Sequence, residues 1–276
     1  MAYETVQVQK LTGGCGAEVL GVDVKAMSNR QWDEVQAAFA EHGVIFFRDQ
    51  KLTPQQQLAF ARAFGEPMEY PQLKGLPECP LITPVVKLEH ERMNFGGVWH
   101  SDTTYLARPP MGSMLYALEV PPHGGDTLFA NQYLAYETLS GGLRRALDGL
   151  TGVNTSTKAA ASKTREDRMR AAGEELKVLL GEHPVVRTHP ETGRKALYVN
   201  AGHTEGFKDW SEEESRPLLE YLFAHQVRPE LTCRFRWQPG SLAFWDNRCT
   251  QHNPVNDYHG YRRVMHRITL QGDVPR

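Results

Sequence analysis

Cysteine is scarce in this chain and follows no metal-binding or disulfide pattern. Its four cysteines, Cys15, Cys79, Cys233 and Cys249, are far apart in the sequence, and no two of them form a C-x-x-C pair. This arrangement argues against a zinc knuckle and against a disulfide framework, and it is typical of reduced thiols in a cytosolic protein. We therefore expect a cytoplasmic protein.

Long apolar runs and an excess of one charge are also missing. The apolar run at 44–47 falls far short of the ~20 residues that span a bilayer, and the N-terminus MAYETVQVQKL has no apolar signal-peptide core. Lysine and arginine number 31 against 33 aspartates and glutamates, which gives no basic surface for nucleic acid or an anionic membrane. The sequence predicts a protein that binds neither nucleic acid nor membranes.

What the sequence does contain is a series of short strand-like segments separated by glycine and proline. The candidates lie within 5–24 and at 44–47, 113–120, 126–131, 184–189, 196–200, 231–237, 241–245 and 262–271. Many short strands with few helices are typical of a mainly β fold with appended helices (α+β) on a jelly-roll core. We expect one domain over residues 1–276.

Three helices are marked by capping residues. The first begins at Ser28 or Asn29 and stops at Gly43, the second begins at Thr53 and stops at Gly65, and the third begins at Ser211. Residues 158–182 form the most polar stretch and are either an ordinary surface helix or a mobile lid.

The segment Trp99-His100-Ser101-Asp102 is the first candidate for chemistry. On an extended chain, residues two apart point to the same side, so His100 and Asp102 could reach one metal ion. The spacing alone is a weak signal, because 189–191 (His-Pro-Glu) and 203–205 (His-Thr-Glu) share it. The first of these contains proline and runs into a turn, which would hold ligands less rigidly.

The C-terminal block supplies a third metal ligand and two arginines. His252 ends a strand-like run, and 257–260 provide turn residues before the strand at 262–271, so we expect a hairpin that folds Arg263 beside His252. Two histidines and one carboxylate leave three positions of an octahedral ion open, which is the facial triad of non-haem Fe(II) oxygenases. A 2-oxo acid could chelate the iron at two of these positions, and O₂ could take the third.

Arg263 and Arg267 share one face of the last strand. The guanidinium of Arg263 could pair bidentately with the distal carboxylate of the 2-oxo acid. Arg267 either binds a second anion or forms an ion pair at the surface or within the structure.

Several motifs in the same order resemble those of the taurine dioxygenase (TauD/TfdA-type) family. They are Gly16-Ala17-Glu18, Phe47-Arg48-Asp49-Gln50, Trp99-His100-Ser101-Asp102, Gly124-Gly125-Asp126-Thr127, Trp245-Asp246-Asn247 and the run 262–267. The resemblance covers nearly the whole chain and implies a double-stranded β-helix with Fe(II) bound by His100, Asp102 and His252. It also implies contacts to 2-oxoglutarate from Thr127 and Arg263, and a contact from Arg267 to the acidic group of the substrate.

The chain departs from the taurine-specific members at four positions. It carries Tyr70, Leu73, Gly96 and His203 where those enzymes have His, Tyr, Asn and Phe, so we expect Leu73 and Gly96 to open apolar space. Tyr70 and His203 could still make polar contacts, although His203 could equally be a buried structural histidine.

The substrate predicted from these features is a small organic anion, most simply a taurine-like sulfonate. Thr103 and Tyr105, which follow the aspartate ligand, are expected to line its pocket. Alkyl sulfates and aryloxyalkanoates are alternatives of the same chemistry. A non-catalytic metal-binding jelly roll and a zinc hydrolase are alternatives of other classes, but neither would need Arg263 and Thr127. We expect a homo-oligomer.

Overall fold

The computed structural model describes residues 3–70, 73–94, 96–158 and 177–276. Its α-helices are α1 (Asn29–His42), α2 (Pro54–Arg62), α3 (Gln132–Glu137), α4 (Gly141–Leu147) and α5 (Glu212–His225). The strands of the N-terminal half are β1 (Gln7–Lys10), β2 (Ala17–Leu20), β3 (Val44–Phe47), β4 (Pro67–Met68), β5 (Ile82–Lys87), β6 (Gly112–Glu119) and β7 (Thr127–Asn131). The later strands are β8 (Thr151–Thr155), β9 (Leu180–Pro184), β10 (Val186–Thr188), β11 (Lys195–Leu197), β12 (Thr204–Phe207), β13 (Thr232–Phe235), β14 (Leu242–Asp246), β15 (Thr250–Pro254) and β16 (Arg263–Leu270).

Two facing sheets form the core of the described chain. The larger has eight strands in the order β1-β2-β3-β14-β6-β16-β4, with β5 also paired to β16, and the smaller has the order β13-β7-β15. Phe46 of the larger sheet stacks on Phe235 of the smaller with ring centroids 4.0 Å apart. The predicted jelly-roll core with appended helices is confirmed.

The larger sheet is buried on both faces, which explains why β3 is apolar at every position. Val44 and Phe46 pack toward the smaller sheet, whereas Ile45 and Phe47 pack toward α1 and α2. Phe39 of α1 stacks on this second face of the sheet. A strand covered on both sides reads as a continuous apolar run rather than as an alternation.

The capping predictions are confirmed at the start of all three helices. Ser28, Thr53 and Ser211 each accept a hydrogen bond from the backbone N–H three residues on. Gly43 ends α1 in the left-handed conformation, at φ 70°. The stop predicted at Gly65 is wrong by two residues, because α2 ends at Arg62 and Ala63 caps it in a right-handed conformation.

Two predictions about the strands need correction. The expected hairpin of residues 252–263 does not form, because β15 pairs with β7 in the smaller sheet whereas β16 pairs with β6 and β5 in the larger one. The strand predicted at 184–189 is shorter than expected, because β10 covers only Val186–Thr188 and pairs with β11, whereas Pro184 ends β9, which pairs with β8. The lid or surface helix predicted at 158–182 lies mostly outside the described residues, and its last three positions begin β9.

Candidate active site

The cavity between the two sheets collects side chains from both. His252 on β15 exchanges two backbone hydrogen bonds with His100, at N–O distances of 2.9 and 3.1 Å. This bridge places the two imidazole rings side by side, with centroids 4.2 Å apart. Arg263 and Arg267 reach the same cavity from β16 in the larger sheet. The chain from 255 to 262 crosses between the sheets, so the arginines face His252 instead of lying beside it.

His100, Asp102 and His252 form a cluster that could hold one metal ion. The Oδ1 atom of Asp102 lies 3.6 Å from Nε2 of His100 and 3.7 Å from Nε2 of His252. Two ligands ~2.1 Å from an octahedral ion at a right angle are ~3.0 Å apart, so a small contraction would suffice. Oδ1 is buried and accepts no hydrogen bond from the described residues, which suits an atom reserved for a cation.

The two histidines are prepared to offer lone pairs. Nδ1 of His100 lies 2.7 Å from the carbonyl oxygen of Val98, to which it can only donate, so Nε2 carries the lone pair that faces Asp102. Burial, followed by the neighbouring His100, lowers the pKa of His252 well below its usual range. The orientation of the His100 ring and the lowered pKa of His252 both suit metal coordination.

The other oxygen of Asp102 is held by two partners. Arg267 Nη2 lies 2.5 Å from Oδ2, and Ser113 Oγ donates to Oδ2 at 2.8 Å. Burial alone would raise the pKa of Asp102, but the Arg267 guanidinium and the two histidines hold this pKa well below its usual range. Asp102 is thus an ionised ligand whose outer oxygen is fixed and whose inner oxygen is turned toward the histidines.

Arg263 and Thr127 fit the distal carboxylate of a 2-oxo acid. Arg263 is buried, and its Nε and Nη2 atoms find no hydrogen-bond acceptor among the described residues. Thr127 Oγ1 accepts a hydrogen bond from Trp237 Nε1 at 3.0 Å, which leaves its own proton to donate. Burial lowers the pKa of Arg263, although Tyr258 and Asp126 offset part of this effect. An anion with two oxygens would satisfy all three donors.

The residues predicted to bind the substrate lie around the metal cluster. The ring centre of Tyr70 is 4.6 Å from the Arg267 guanidinium. The ring of His203 approaches those of His100 and Tyr105 edge-on, with centroids 6.0 and 5.1 Å away.

Thr103 follows Asp102 in a strained backbone conformation. Its φ is 43°, which is costly for a β-branched residue, and its hydroxyl is buried with no hydrogen bond within the described chain. Strain of this kind concentrates at functional sites.

The expectation that Gly96 opens apolar space is wrong. A Cβ atom at this position would lie 3.0 Å from Cε1 and 3.3 Å from Nε2 of His100, so the space beside the glycine is occupied by the imidazole ring. Its φ of 71° is also one that side chains disfavour. Gly96 allows the backbone to pack directly on the metal ligand.

Three residues that support the site, Ser113, Trp245 and Asn247, were given no role from the sequence. Asn247 Oδ1 accepts hydrogen bonds from the Trp245 indole at 3.0 Å and from the backbone of Asp102 at 3.4 Å. Ser113 binds the outer oxygen of Asp102. The motif Trp245-Asp246-Asn247 was visible in the sequence, but Ser113 lies in an ordinary strand pattern that carries no signal.

A second buried cluster, formed by His189, Asp246 and Cys249, resembles a metal site in composition. Arg248 occupies both oxygens of Asp246, with N–O distances of 2.9 and 2.7 Å. His189 accepts backbone N–H groups at Nδ1, so its Nε2 carries the proton that it donates to Asp246 at 3.0 Å. Burial, followed by Asp246, raises the pKa of the Cys249 thiol well above its usual range. The cluster is a closed network of ion pairs and hydrogen bonds with no ligand atom to spare.

An open cluster of two histidines and one aspartate, next to a buried arginine with free donors, defines the class of Fe(II)- and 2-oxoglutarate-dependent dioxygenases. The chain belongs to the taurine catabolism dioxygenase TauD, TfdA family, whose family model matches residues 7–269. The fold, the metal cluster and the family agree, so the protein is an enzyme of this class that uses Fe(II), 2-oxoglutarate and O₂.

Individual relatives cover almost the whole chain. An alpha-ketoglutarate-dependent sulfate ester dioxygenase from Pseudomonas putida is 35% identical over 98% of this chain and 91% of its own length. An alkylsulfatase from Acinetobacter baylyi is 35% identical over 98% and 86%, respectively. The crystal structure of a taurine dioxygenase from Burkholderia xenovorans superposes with a TM-score of 0.84 at 37% identity, covering 99% of this chain and 91% of that one. No helix in the described ranges has both the length and the apolar character needed to cross a membrane.

Proposed function

We propose that the enzyme oxidises an organic sulfate or sulfonate whose carbon chain is more apolar than that of taurine, with an alkyl sulfate ester as the preferred substrate. The observation that carries this proposal is the charge of the cavity. Its described lining includes Arg263 and Arg267 but no aspartate or glutamate, and the nearby Asp102 carboxylate is paired with Arg267 and faces the histidines, so an ammonium group such as that of taurine would meet cations and no free carboxylate. The names of the sulfate ester dioxygenase and the alkylsulfatase support the same choice.

Each part of the site has a separate role in this proposal. His100, Asp102 and His252 hold Fe(II), while Arg263 and Thr127 bind the distal carboxylate of 2-oxoglutarate. When bound, the iron and 2-oxoglutarate together supply the oxidising chemistry that uses O₂ to hydroxylate a substrate C–H bond and releases succinate and CO₂. The protein's share of the work is to orient the reactants and to exclude water.

Arg267 is proposed to hold the acidic group of the substrate. Its Nε and Nη2 atoms bind Thr269, Ser113 and Asp102, whereas no hydrogen bond joins its Nη1 to the described residues. That nitrogen can donate to a sulfate oxygen without breaking the contact with Asp102. The carbon bonded to the sulfate oxygen would then lie close to the metal ligands. Hydroxylation of this carbon gives a product that collapses to an aldehyde and free sulfate.

The rest of the pocket is proposed to accept the carbon chain. Tyr70, Thr103, Tyr105 and His203 surround the metal cluster on the substrate side. The cavity wall itself is apolar at Val85, Leu115 and Pro254. Each buried CH₂ group contributes about 0.8 kcal/mol, or roughly a fourfold gain in kcat/KM.

The test is a competition among hexyl sulfate, hexanesulfonate, taurine, a phenoxyacetate and hexanol, with succinate, sulfate and sulfite measured. We expect hexyl sulfate to exceed taurine by at least tenfold in kcat/KM and to release sulfate and hexanal in equal amounts. A preference for taurine would refute the apolar-chain proposal. Turnover of hexanol at a rate similar to that of hexyl sulfate would refute the role of Arg267.

We further propose that residues 1–276 fold as one domain, that the enzyme acts in the cytoplasm as a homo-oligomer, and that it binds neither nucleic acid nor membranes. The family match over 7–269 supports the first point, and four buried cysteines without a disulfide support the second. Light scattering after gel filtration would measure the oligomeric state, and a mass equal to that of one chain would refute the proposed homo-oligomer.

A further inference from the structure

Lys87, the last residue of β5, is buried, and its ammonium group contacts no carboxylate of the described residues. Only 4% of the residue is exposed, and its Nζ makes neither a hydrogen bond nor an ion pair with any described residue. Its contact is with the ring of Tyr258, whose centre lies 4.4 Å from Nζ. A cation–π contact contributes up to ~2 kcal/mol, whereas removing an ammonium from water costs several kcal/mol. Among the described residues, no carboxylate is therefore in contact with the Lys87 ammonium group.

The register of β5 on β16 places this charge beside the proposed anchor of 2-oxoglutarate. Lys87 pairs directly with Arg263 across the two strands, and Val85 pairs with Met265. Directly opposed residues of an antiparallel pair project to the same side of the sheet. Arg263 and Val85 line the cavity, so Lys87 extends from the same face. Tyr258, which packs against the ammonium, is also close enough to Arg263 for the two to influence each other's pKa.

Arg263 and Lys87 are two cations on one face of the sheet, and each has polar atoms without a hydrogen-bond partner among the described residues. Arg263 has two buried donors without acceptors, and Lys87 has an ammonium without a counter-ion. Like charges on one face of a sheet repel more strongly where water is excluded. An anion bound between them would remove both the repulsion and the unmet hydrogen bonds.

We propose that Lys87 is a second binding residue for the distal carboxylate of 2-oxoglutarate. Arg263 supplies the planar fork that fixes the orientation of the carboxylate, and Lys87 supplies a point charge that adds to its attraction. This inference rests on the use of 2-oxoglutarate by the family and is independent of the primary substrate. It differs from a structural role, in which Lys87 would only hold Tyr258 in place.

The experiment compares Lys87→Met, which keeps the length of the side chain without its charge, and Lys87→Arg, which keeps the charge. Lys195→Met is the matched control, because Lys195 is exposed and pairs with Asp148 at the surface. Binding to the Mn(II)-loaded protein is measured by calorimetry in the absence of primary substrate and O₂. The two ligands are 2-oxoglutarate and 2-oxopentanoate, which has the same carbon chain but a methyl group in place of the distal carboxylate.

We expect Lys87→Met to weaken 2-oxoglutarate binding roughly tenfold or more, the loss of one charge-assisted contact. Binding of 2-oxopentanoate should change by less than about twofold, since it has no group for Lys87 to attract. Lys87→Arg should restore most of the preference for 2-oxoglutarate, and Lys195→Met should match the parent protein. The melting temperature of the ligand-free Lys87→Met protein should be equal to or above that of the parent, because an uncompensated charge has been removed.

The outcome is decided by the dissociation constant of 2-oxopentanoate divided by that of 2-oxoglutarate. A ratio that falls in Lys87→Met and returns toward the parental value in Lys87→Arg supports the proposal, whatever the melting temperatures of the two variants. An unchanged ratio overturns it, including the case in which both ligands bind equally more weakly. No primary substrate is present in this experiment, so a negative result does not test the proposed sulfate substrate. The competition assay, in turn, does not test the role of Lys87.

Discussion

Replacing Arg267 with alanine should destabilise the metal-free protein strongly, because it leaves the buried carboxylate of Asp102 without its counter-ion. Arg267 Nη2 lies 2.5 Å from Asp102 Oδ2, and both side chains are almost fully buried. Removing one partner of a buried ion pair costs about 3–5 kcal/mol. At about 2–3 °C per kcal/mol for a chain of this size, the melting temperature should fall by roughly 6–15 °C.

A divalent metal should recover much of this loss. With the ion bound at Oδ1, Asp102 regains a positive neighbour, so Mn(II) should raise the melting temperature of the variant more than that of the parent. The pair also predicts the pH dependence. The pKa of Asp102 is lowered in the folded state, so the stability that the pair contributes is present above the usual aspartate pKa and is lost as the pH falls through the lowered one.

The assay is thermal unfolding at neutral pH, with and without Mn(II), for Arg267→Ala and for Arg262→Ala. Arg262 lies five positions earlier, and its ion pair with Glu119 is exposed, so its loss should cost ~1 kcal/mol or less. A metal-free Arg267→Ala protein that melts within about 2 °C of the parent would refute the reasoning. An equal effect of Mn(II) on variant and parent would refute the compensation by metal.

Three further outcomes follow from the site and from the N-terminal segment. His100→Ala or Asp102→Ala should abolish Mn(II) binding in calorimetry and succinate formation in turnover, and succinate at the parental rate would exclude these residues as ligands. Arg263→Gln should raise the KM for 2-oxoglutarate about tenfold to a hundredfold, since a charge-assisted contact contributes ~1.5–3 kcal/mol. The KM for the primary substrate should change much less, and an unchanged KM for 2-oxoglutarate would contradict the anchor role. The Glu34 carboxylate accepts hydrogen bonds from the backbone of residues 4–6, which outweigh the effect of burial and lower its pKa to about 2. The melting temperature of Glu34→Gln should therefore lie below that of the parent at pH 7, with the difference shrinking as the pH falls from 4.5 toward 2, and a constant difference would contradict this explanation.

Local chemistry in the sequence determined the helix starts, the strand pattern and the metal ligands. Ser28, Thr53 and Ser211 cap helices because a hydroxyl group three residues before a free N–H satisfies it wherever the helix lies in the fold. His100 and Asp102 lie close enough to hold one ion because residues two apart on an extended backbone project to the same side. Features of this kind depend on neighbours in the chain, so they can be read without the fold.

The arrangement around those ligands was decided only by tertiary structure. Alternation along a strand tells which side chains share a face, but it does not tell which strand lies opposite, and so β15 and β16 were placed in one hairpin. For the same reason, the pairing of Arg267 with Asp102 and the packing of Gly96 on His100 could not be predicted from the sequence. Lys87 is the clearest case, because nothing in the sequence separates it from a surface lysine. Its position opposite Arg263, and the burial of both side chains, arise from the pairing of strands that lie about 180 residues apart in the chain.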